Sequence, residues 1–410
     1  MLDYAFPLKK TNPQVVLNLL RLNPGISRAE IARRAELGKA TVSHIISEFI
    51  AEGIVVETGA GVQPGRAGRR PVRLQLNGGF RVAIGVEITG TECVAALTDL
   101  YADPIRLVRY PMPESSVHTS IETINLAVHE LMEGQEWDRL LGVGVGVPGP
   151  VDAHQQRVIQ AENIGWIDVP LGAMLRERLQ KPVMVVKRQN AGGLGEYWYG
   201  IGKGEQCLLY VSIGVGIGSG VILGGEIYEG VSGSAGEIGH ITIAPDGQRC
   251  ECGNLGCLET FASIPAIATR AKELIRHGRA STLIESTRGS LESITGRMVL
   301  NAALQGDALA VEVVQEAARY VGIAVATAVN LFNPSMVVIG GEVLELGEIF
   351  LKPIREVVRY RCFSISLAAV KIVSSSLGHR AAAIGGATLA IDRFFEANSS
   401  SAHARWGDVL

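Results

Sequence analysis

Between Gly233 and Glu259 the chain runs Gly233-Ser234-Ala235-Gly236-Glu237-Ile238-Gly239-His240, then Cys250-Glu251-Cys252-Gly253-Asn254-Leu255-Gly256-Cys257-Leu258-Glu259. No other stretch restricts the possible folds so sharply. His240, Cys250, Cys252 and Cys257 offer one imidazole and three thiolates, a closed tetrahedral set that suits Zn2+. The Cys-x-Cys spacing is short, but Gly253 and Gly256 permit the tight turn that brings Cys257 back to an ion. Four protein ligands leave no coordination position for water, so such a zinc is structural rather than catalytic. The competing reading is three buried cysteines without metal. The chain has only six cysteines, too few for a disulfide scaffold at this length.

At 410 residues the chain exceeds a single core and calls for two to three domains. Hydrophobic residues at 47% against 19% charged exclude wholesale disorder. The absence of a long apolar window and of a signal-type N-terminus points to a soluble, cytoplasmic protein with no membrane partner. Glycine is in excess, 49 residues, without a collagen-like period, so it serves turns, phosphate-type loops and close backbone approach. The net charge of -3 conceals an asymmetry: residues 1–80 hold 11 Lys/Arg against 6 Asp/Glu, and the acidic excess lies in the remainder. A basic head on an acidic body suggests that the head alone meets a polyanion.

The head reads as helices. Val16, Leu17, Leu19 and Leu20 recur at helical spacing until Asn23-Pro24-Gly25; Ser27 with Glu30 forms a capping-box pattern opening a second helix, and a third runs from Lys39 to about Glu52. Two short helices joined by a turn at Leu37-Gly38 follow the helix-turn-helix plan. The N-terminal end of the third helix then offers Lys39, Thr41, Ser43 and His44 for base edges. Ile54 to Glu57 and Val72 to Leu76 alternate like strands, and the glycine-rich loop between them carries Arg66, Arg69 and Arg70. That loop has the composition of a wing or arm for a minor groove and phosphates. An ordinary linker with solvated arginines is the bland alternative.

From Phe80 the pattern becomes α/β. Strands are expected at Val82–Val86, Val94–Leu97 and Leu141–Val147, with a helix near Ser120 to Glu133. A related scheme returns with strands at Cys207–Ile213, Val221–Leu223 and Met336–Ile339 and helices between Pro265 and Leu331. Two lobes of similar design with a cleft between them are the economical interpretation.

With Glu237-x-x-His240, Cys-x-Cys-Gly-x-x-Gly-Cys-x-Glu, Asn163-Ile164-Gly165-Trp166 and the segment Arg380 to Thr388, the chain resembles the ROK family of bacterial repressors, open reading frames and sugar kinases. The resemblance extends over nearly the whole chain up to about Glu396. It implies an actin-like, hexokinase-type two-lobed ATPase fold preceded by an N-terminal winged helix-turn-helix. The division would be a DNA-binding head over residues 1–80, a two-lobed sugar-sensing body over 81–396, and a flexible tail over 397–410. It implies a zinc loop and a monosaccharide in the cleft, held at Gly149, Asn163, Glu237, His240 and Glu259. The family's repressors, such as those for xylose and N-acetylglucosamine, bind operator DNA as symmetric oligomers, so a homodimer or homotetramer is expected, answering to a sugar or a protein partner. Glu237 and Glu259 could alternatively be structural caps or hinge ion-pair partners.

The departures from the family pattern bear on catalysis. Its kinases carry Asp-x-Gly-x-Thr in the first phosphate loop, where this chain has Glu87-Ile88-Thr89-Gly90-Thr91, and Gly-Thr-Gly in the second, where it has Gly214-Val215-Gly216. Their Asn-Asp-Ala-Asn segment, whose Asp is the general base, aligns with Lys187-Arg188-Gln189-Asn190. A guanidinium cannot accept a proton at physiological pH. Phosphoryl transfer is therefore not expected, and a sugar kinase with an appended DNA-binding domain is the alternative. Arg188 either pairs with Glu87 across the vacated phosphate site or, with Lys187, selects an anionic ligand.

Overall fold

The computed structural model describes residues 11–60, 72–112 and 116–397. Arg66, Arg69 and Arg70 and nearly all of the expected tail lie outside the described residues.

The head is built from helices Asn12–Leu22, Arg28–Arg34 and Lys39–Ala51. Their apolar stripes converge, with Val16, Leu17, Leu20, Ile31, Val42 and Ile46 fully buried. Ser27 Oγ accepts from the Glu30 amide at 3.3 Å, the expected N-cap. Glu30 does not complete a reciprocal box, because its carboxylate faces Arg33 and Arg34. Strands Val55–Ala60 and Val72–Leu76 pair antiparallel. A two-residue strand at Ile26–Ser27 adds to the other edge of Val72–Leu76, so Ser27 both closes a sheet and opens a helix.

Each lobe of the body contains a five-stranded sheet, and the two have the same topology. In the first, Val82–Ile88, Glu92–Thr98 and Pro104–Pro111 form an antiparallel meander, and Leu140–Val147 and Val183–Lys187 extend it in parallel. In the second, Cys207–Ile213, Ile217–Leu223 and Glu226–Ile227 form the meander, and Met336–Gly341 and Lys371–Ser374 extend it. The internal duplication suggested by weak sequence likeness is thus explicit in the strand order. Each lobe has its own apolar core: Val145 and Leu131 lie at the centre of the first, Val211 and Val314 of the second.

Two helices lie between the sheets. Arg188–Trp198 packs on the second sheet and Ala381–Ala397 on the first. Their closeness explains much of the glycine excess. A Cβ on Gly85 would come within 1.7 Å of the Ala383 carbonyl, and one on Gly144 within 1.9 Å of the Gly386 carbonyl. A Cβ on Gly385 would meet the Ala191 carbonyl at 1.7 Å, so helix backbone rests directly on sheet and on helix.

Candidate functional site

The metal-type cluster forms as the spacing requires. The ligand atoms of His240, Cys250, Cys252 and Cys257 all lie within 4.8 Å of one another. His240 Nδ1 is 3.7 Å from Cys250 Sγ, and Cys252 Sγ is 3.7 Å from Cys257 Sγ. The loop is folded by its own backbone. The Cys250 amide donates to Asn254 O at 2.8 Å, and short bridges join Thr242 to Cys257 and Arg249 to Leu255. Gly256, at φ +65°, presses so closely on Ala244 that a Cβ would fall 1.6 Å from its carbonyl. The donor set and its compactness fit a tetrahedral divalent ion of borderline softness.

Around this loop the expected sugar ligands fall on both sides of the interlobe cleft. Glu237 leads into the turn Ile238–His240, which packs on the start of strand Ile217–Leu223. Glu259 Oε2 accepts from the Ile217 amide at 2.8 Å, and burial raises its carboxyl above the ordinary glutamate range. Glu237, His240 and Glu259 therefore gather at one strand end. Gly149 stands on the opposite lobe at φ +76°, with Gln160 O where a side chain would go. Next to it, Val151 O touches Gly233, so the cleft is narrow here. Asn163 is exposed and lines a cavity of about 540 Å3 farther along the same cleft.

That cavity lies between the two glycine-containing segments that the sequence compares with the family's phosphate loops. Thr89, Gly90 and Thr91 form one wall and Gly214 and Gly341 the other. Arg188 Nη1 reaches Glu87 Oε1 at 3.4 Å, with both side chains largely buried. Burial raises the Glu87 carboxyl, and Arg188 pulls it back. Lys187 is held too: Nζ donates to Glu237 Oε1 at 3.0 Å and to Ala235 O at 2.6 Å, and burial lowers its pKa. The Glu87 partner was one of the two roles open to Arg188. The Lys187–Glu237 contact joins an aligned base-segment position to an expected sugar-site position, a pairing that the sequence alone does not suggest. Arg109, Arg297, Glu342 and His379 also line the cavity. They come from separate stretches of chain and carry no local motif.

On the head, Lys39, Thr41, Ser43 and His44 are all exposed at the start of the third helix. Val42, Ile45 and Ile46 point inward from the same turns, so burial of one face fixes presentation of the other. His44 lies 3.2 Å from Glu48. Among the described residues no helix is long and apolar enough to cross a membrane.

A winged helical head on two duplicated lobes, with a His/Cys3 loop at the cleft, defines a regulator built on a sugar-kinase scaffold. The chain belongs to the ROK family, whose model matches residues 83–393, and a winged helix-turn-helix DNA-binding model matches 14–56. The xylose repressor of Caldicellulosiruptor bescii is 35% identical, over 92% of this chain and 94% of its own. A solved ROK family transcriptional regulator, a homologue of the Escherichia coli MLC protein, superposes with a TM-score of 0.80 at 28% identity, over 94% of this chain and 96% of its own. A ROK glucokinase from Streptomyces griseus, solved with glucose and AMPPNP, is 33% identical with a TM-score of 0.69. It covers 75% of this chain and 98% of its own.

Proposed function

We propose that this protein is a sequence-specific DNA-binding regulator, a repressor of sugar-utilisation genes, whose body senses a monosaccharide or derivative without phosphorylating it. The observation that carries this reading is Arg188: the position of the family's general base holds a cation paired with Glu87, on a molecule whose head presents an exposed recognition helix. Repression is also the function named for the Caldicellulosiruptor relative, which is similar along nearly its full length.

The roles follow from the chemistry. Lys39, Thr41, Ser43 and His44 meet base edges in the major groove, and Arg66, Arg69 and Arg70 meet phosphates and the minor groove. Gly149, Asn163, Glu237, His240 and Glu259 hold sugar hydroxyls, for which carboxylates and an amide supply paired acceptors and donors. His240, Cys250, Cys252 and Cys257 hold Zn2+, which supplies a crosslink and no open position for catalysis. The DNA-binding head extends through residue 80 and the sensing body from 81 to 396. Because Lys187 and Arg188 already have carboxylate partners, a neutral sugar suits the cleft better than an anionic one. Two half-sites one helical turn apart require a symmetric oligomer.

Isothermal titration over a panel of monosaccharides, paired with gel shifts on upstream DNA, tests this reading. A sugar that binds and changes operator affinity is expected, together with no sugar-dependent ATP hydrolysis. Sugar-dependent ATP turnover would restore the kinase reading; failure to retard any upstream fragment would remove the repressor.

A further inference from the structure

The head does not close its core on itself. Val16, Leu17, Leu20, Ile46 and Leu74 share one apolar cluster with Leu141, Met184, Ile384, Ile391 and Phe395 of the body. In that seam lies Arg21, on the first head helix, with its side chain fully buried. Its Nη2 donates to Asp392 Oδ1. Its guanidinium carbon stands 4.5 Å from the Trp198 ring centre, 4.9 Å from that of Phe395 and 5.7 Å from that of Tyr199. Nε and Nη1 have no hydrogen-bond acceptor among the described residues. With Arg21 buried and Asp392 part-exposed, the pair returns little net stability, since the guanidinium's loss of hydration offsets the attraction. What it fixes is geometry, because a planar cation must lie over the rings while its Nη2 meets the carboxylate.

The partners of Arg21 come from both lobes. Trp198 and Tyr199 stand at the end of helix Arg188–Trp198, which packs on the second sheet; Asp392 and Phe395 stand on Ala381–Ala397, which packs on the first. The opposite ends of the same two segments reach the cleft, where Arg188, Gln189, His379 and Ala382 line the cavity. Between these ends the backbones touch at Ala191 and Gly385. That crossing makes a pivot. At 1.5 Å rise per residue, a 10° rotation about the middle of an eleven-residue helix moves its end by roughly 1.4 Å. The single Nη2 hydrogen bond does not survive such a displacement.

We infer that Arg21 is the positioning residue that couples the cleft to the DNA-reading head, keeping the head seated only while the ends of the two interlobe helices hold one relative position. A ligand that changes the lobe angle alters this seat and with it the placement of the recognition helix. The inference rests on the sensor reading above for its purpose, but the seat itself can be measured without sugar or DNA.

The experiment uses the full chain with Arg21→Ala and, to remove both charges while keeping the packing volume, the double variant Arg21→Met/Asp392→Leu. In the ligand-free protein, hydrogen exchange in Asn12–Leu22 is expected to speed up at least about tenfold in Arg21→Ala while strand Leu140–Val147 keeps its protection. Unchanged protection of Asn12–Leu22 would overturn the inference even if no sugar proves active. In the double variant, the ratio of operator affinities with and without an active monosaccharide is expected to collapse from the usual range of about 5–150-fold to within about twofold of unity. Sugar affinity by titration serves as the control. A wild-type ratio in a folded double variant would likewise refute the coupling. A wild type unresponsive to every sugar would count against the sensor reading, leaving exchange to judge the seat.

Discussion

Arg188 fills its part of the cleft with a paired cation. Glu87 and Arg188 are both largely buried, and burial outweighs the guanidinium, so the Glu87 carboxyl lies above its ordinary range. The sign of the resulting pH dependence follows. Below the ordinary glutamate range Glu87 is protonated in both folded and unfolded chains and no carboxylate is buried. As pH rises through the elevated folded value, Glu87 must ionise in place and its contribution to stability is lost. Glu87→Gln removes this titration. In urea titrations between pH 5 and 8, the variant should gain on the wild type as pH rises; a constant difference would mean that Glu87 titrates as a free carboxyl. That a cation stands at this place was readable from Lys187-Arg188, and its pairing with Glu87 was one of the two roles the sequence left open. The grip of Lys187 on Glu237 was not, since it joins positions fifty residues apart in sequence and depends on lobe placement.

The loop carrying His240, Cys250, Cys252 and Cys257 is the element whose sequence and structure agree most directly, because ligand type and glycine spacing are local properties. It is also the element that positions Glu259, which directly follows Cys257-Leu258 and caps the Ile217 strand. Cys257→Ser is therefore expected to abolish zinc in metal analysis and to lower the unfolding free energy by more than about 2 kcal/mol. It should also weaken sugar binding, although no ligand position on the ion is open. Retained zinc would show that the other three ligands suffice. Other elements were less legible. The edge strand Pro104–Pro111 is exposed on alternate residues and bounded by prolines, so it lacks the apolar run that marked its neighbours. Arg157–Ala161 and Trp166–Val169 form a small hairpin sheet whose exposed positions dilute the pattern. The close-packed glycines at Gly85, Gly144 and Gly385 were visible only as an excess, because what they approach lies hundreds of residues away or on another element.

For the molecule as a whole, the charge division between head and body matters most in salt. Every phosphate that the head no longer neutralises should reduce the slope of log affinity against log salt by about 0.9. Replacing Arg66, Arg69 and Arg70 with glutamine should flatten that slope by up to three such steps in fluorescence-anisotropy titrations, with sequence preference largely kept. A slope equal to wild type would make the segment an ordinary tether. The sequence indicated a basic head and an acidic body, but carried no sign that their cores merge. That continuity depends on apolar residues whose periodicity fits equally well with a self-contained head.

The helix Ala381–Ala397 has a consequence for biosynthesis. It rests on Gly85 and Gly144 of the first sheet and, through Asp392 and Phe395, seats the head. A ribosome releases it long after those strands have emerged. Until then one face of the first sheet lacks its cover, and the head lacks its Asp392 and Phe395 contacts, so the nascent chain carries exposed apolar surface for most of its synthesis. Chains ended before this helix would lack both the cover of that sheet face and the Arg21 seat, so a seated head would come only from completed translation through this helix.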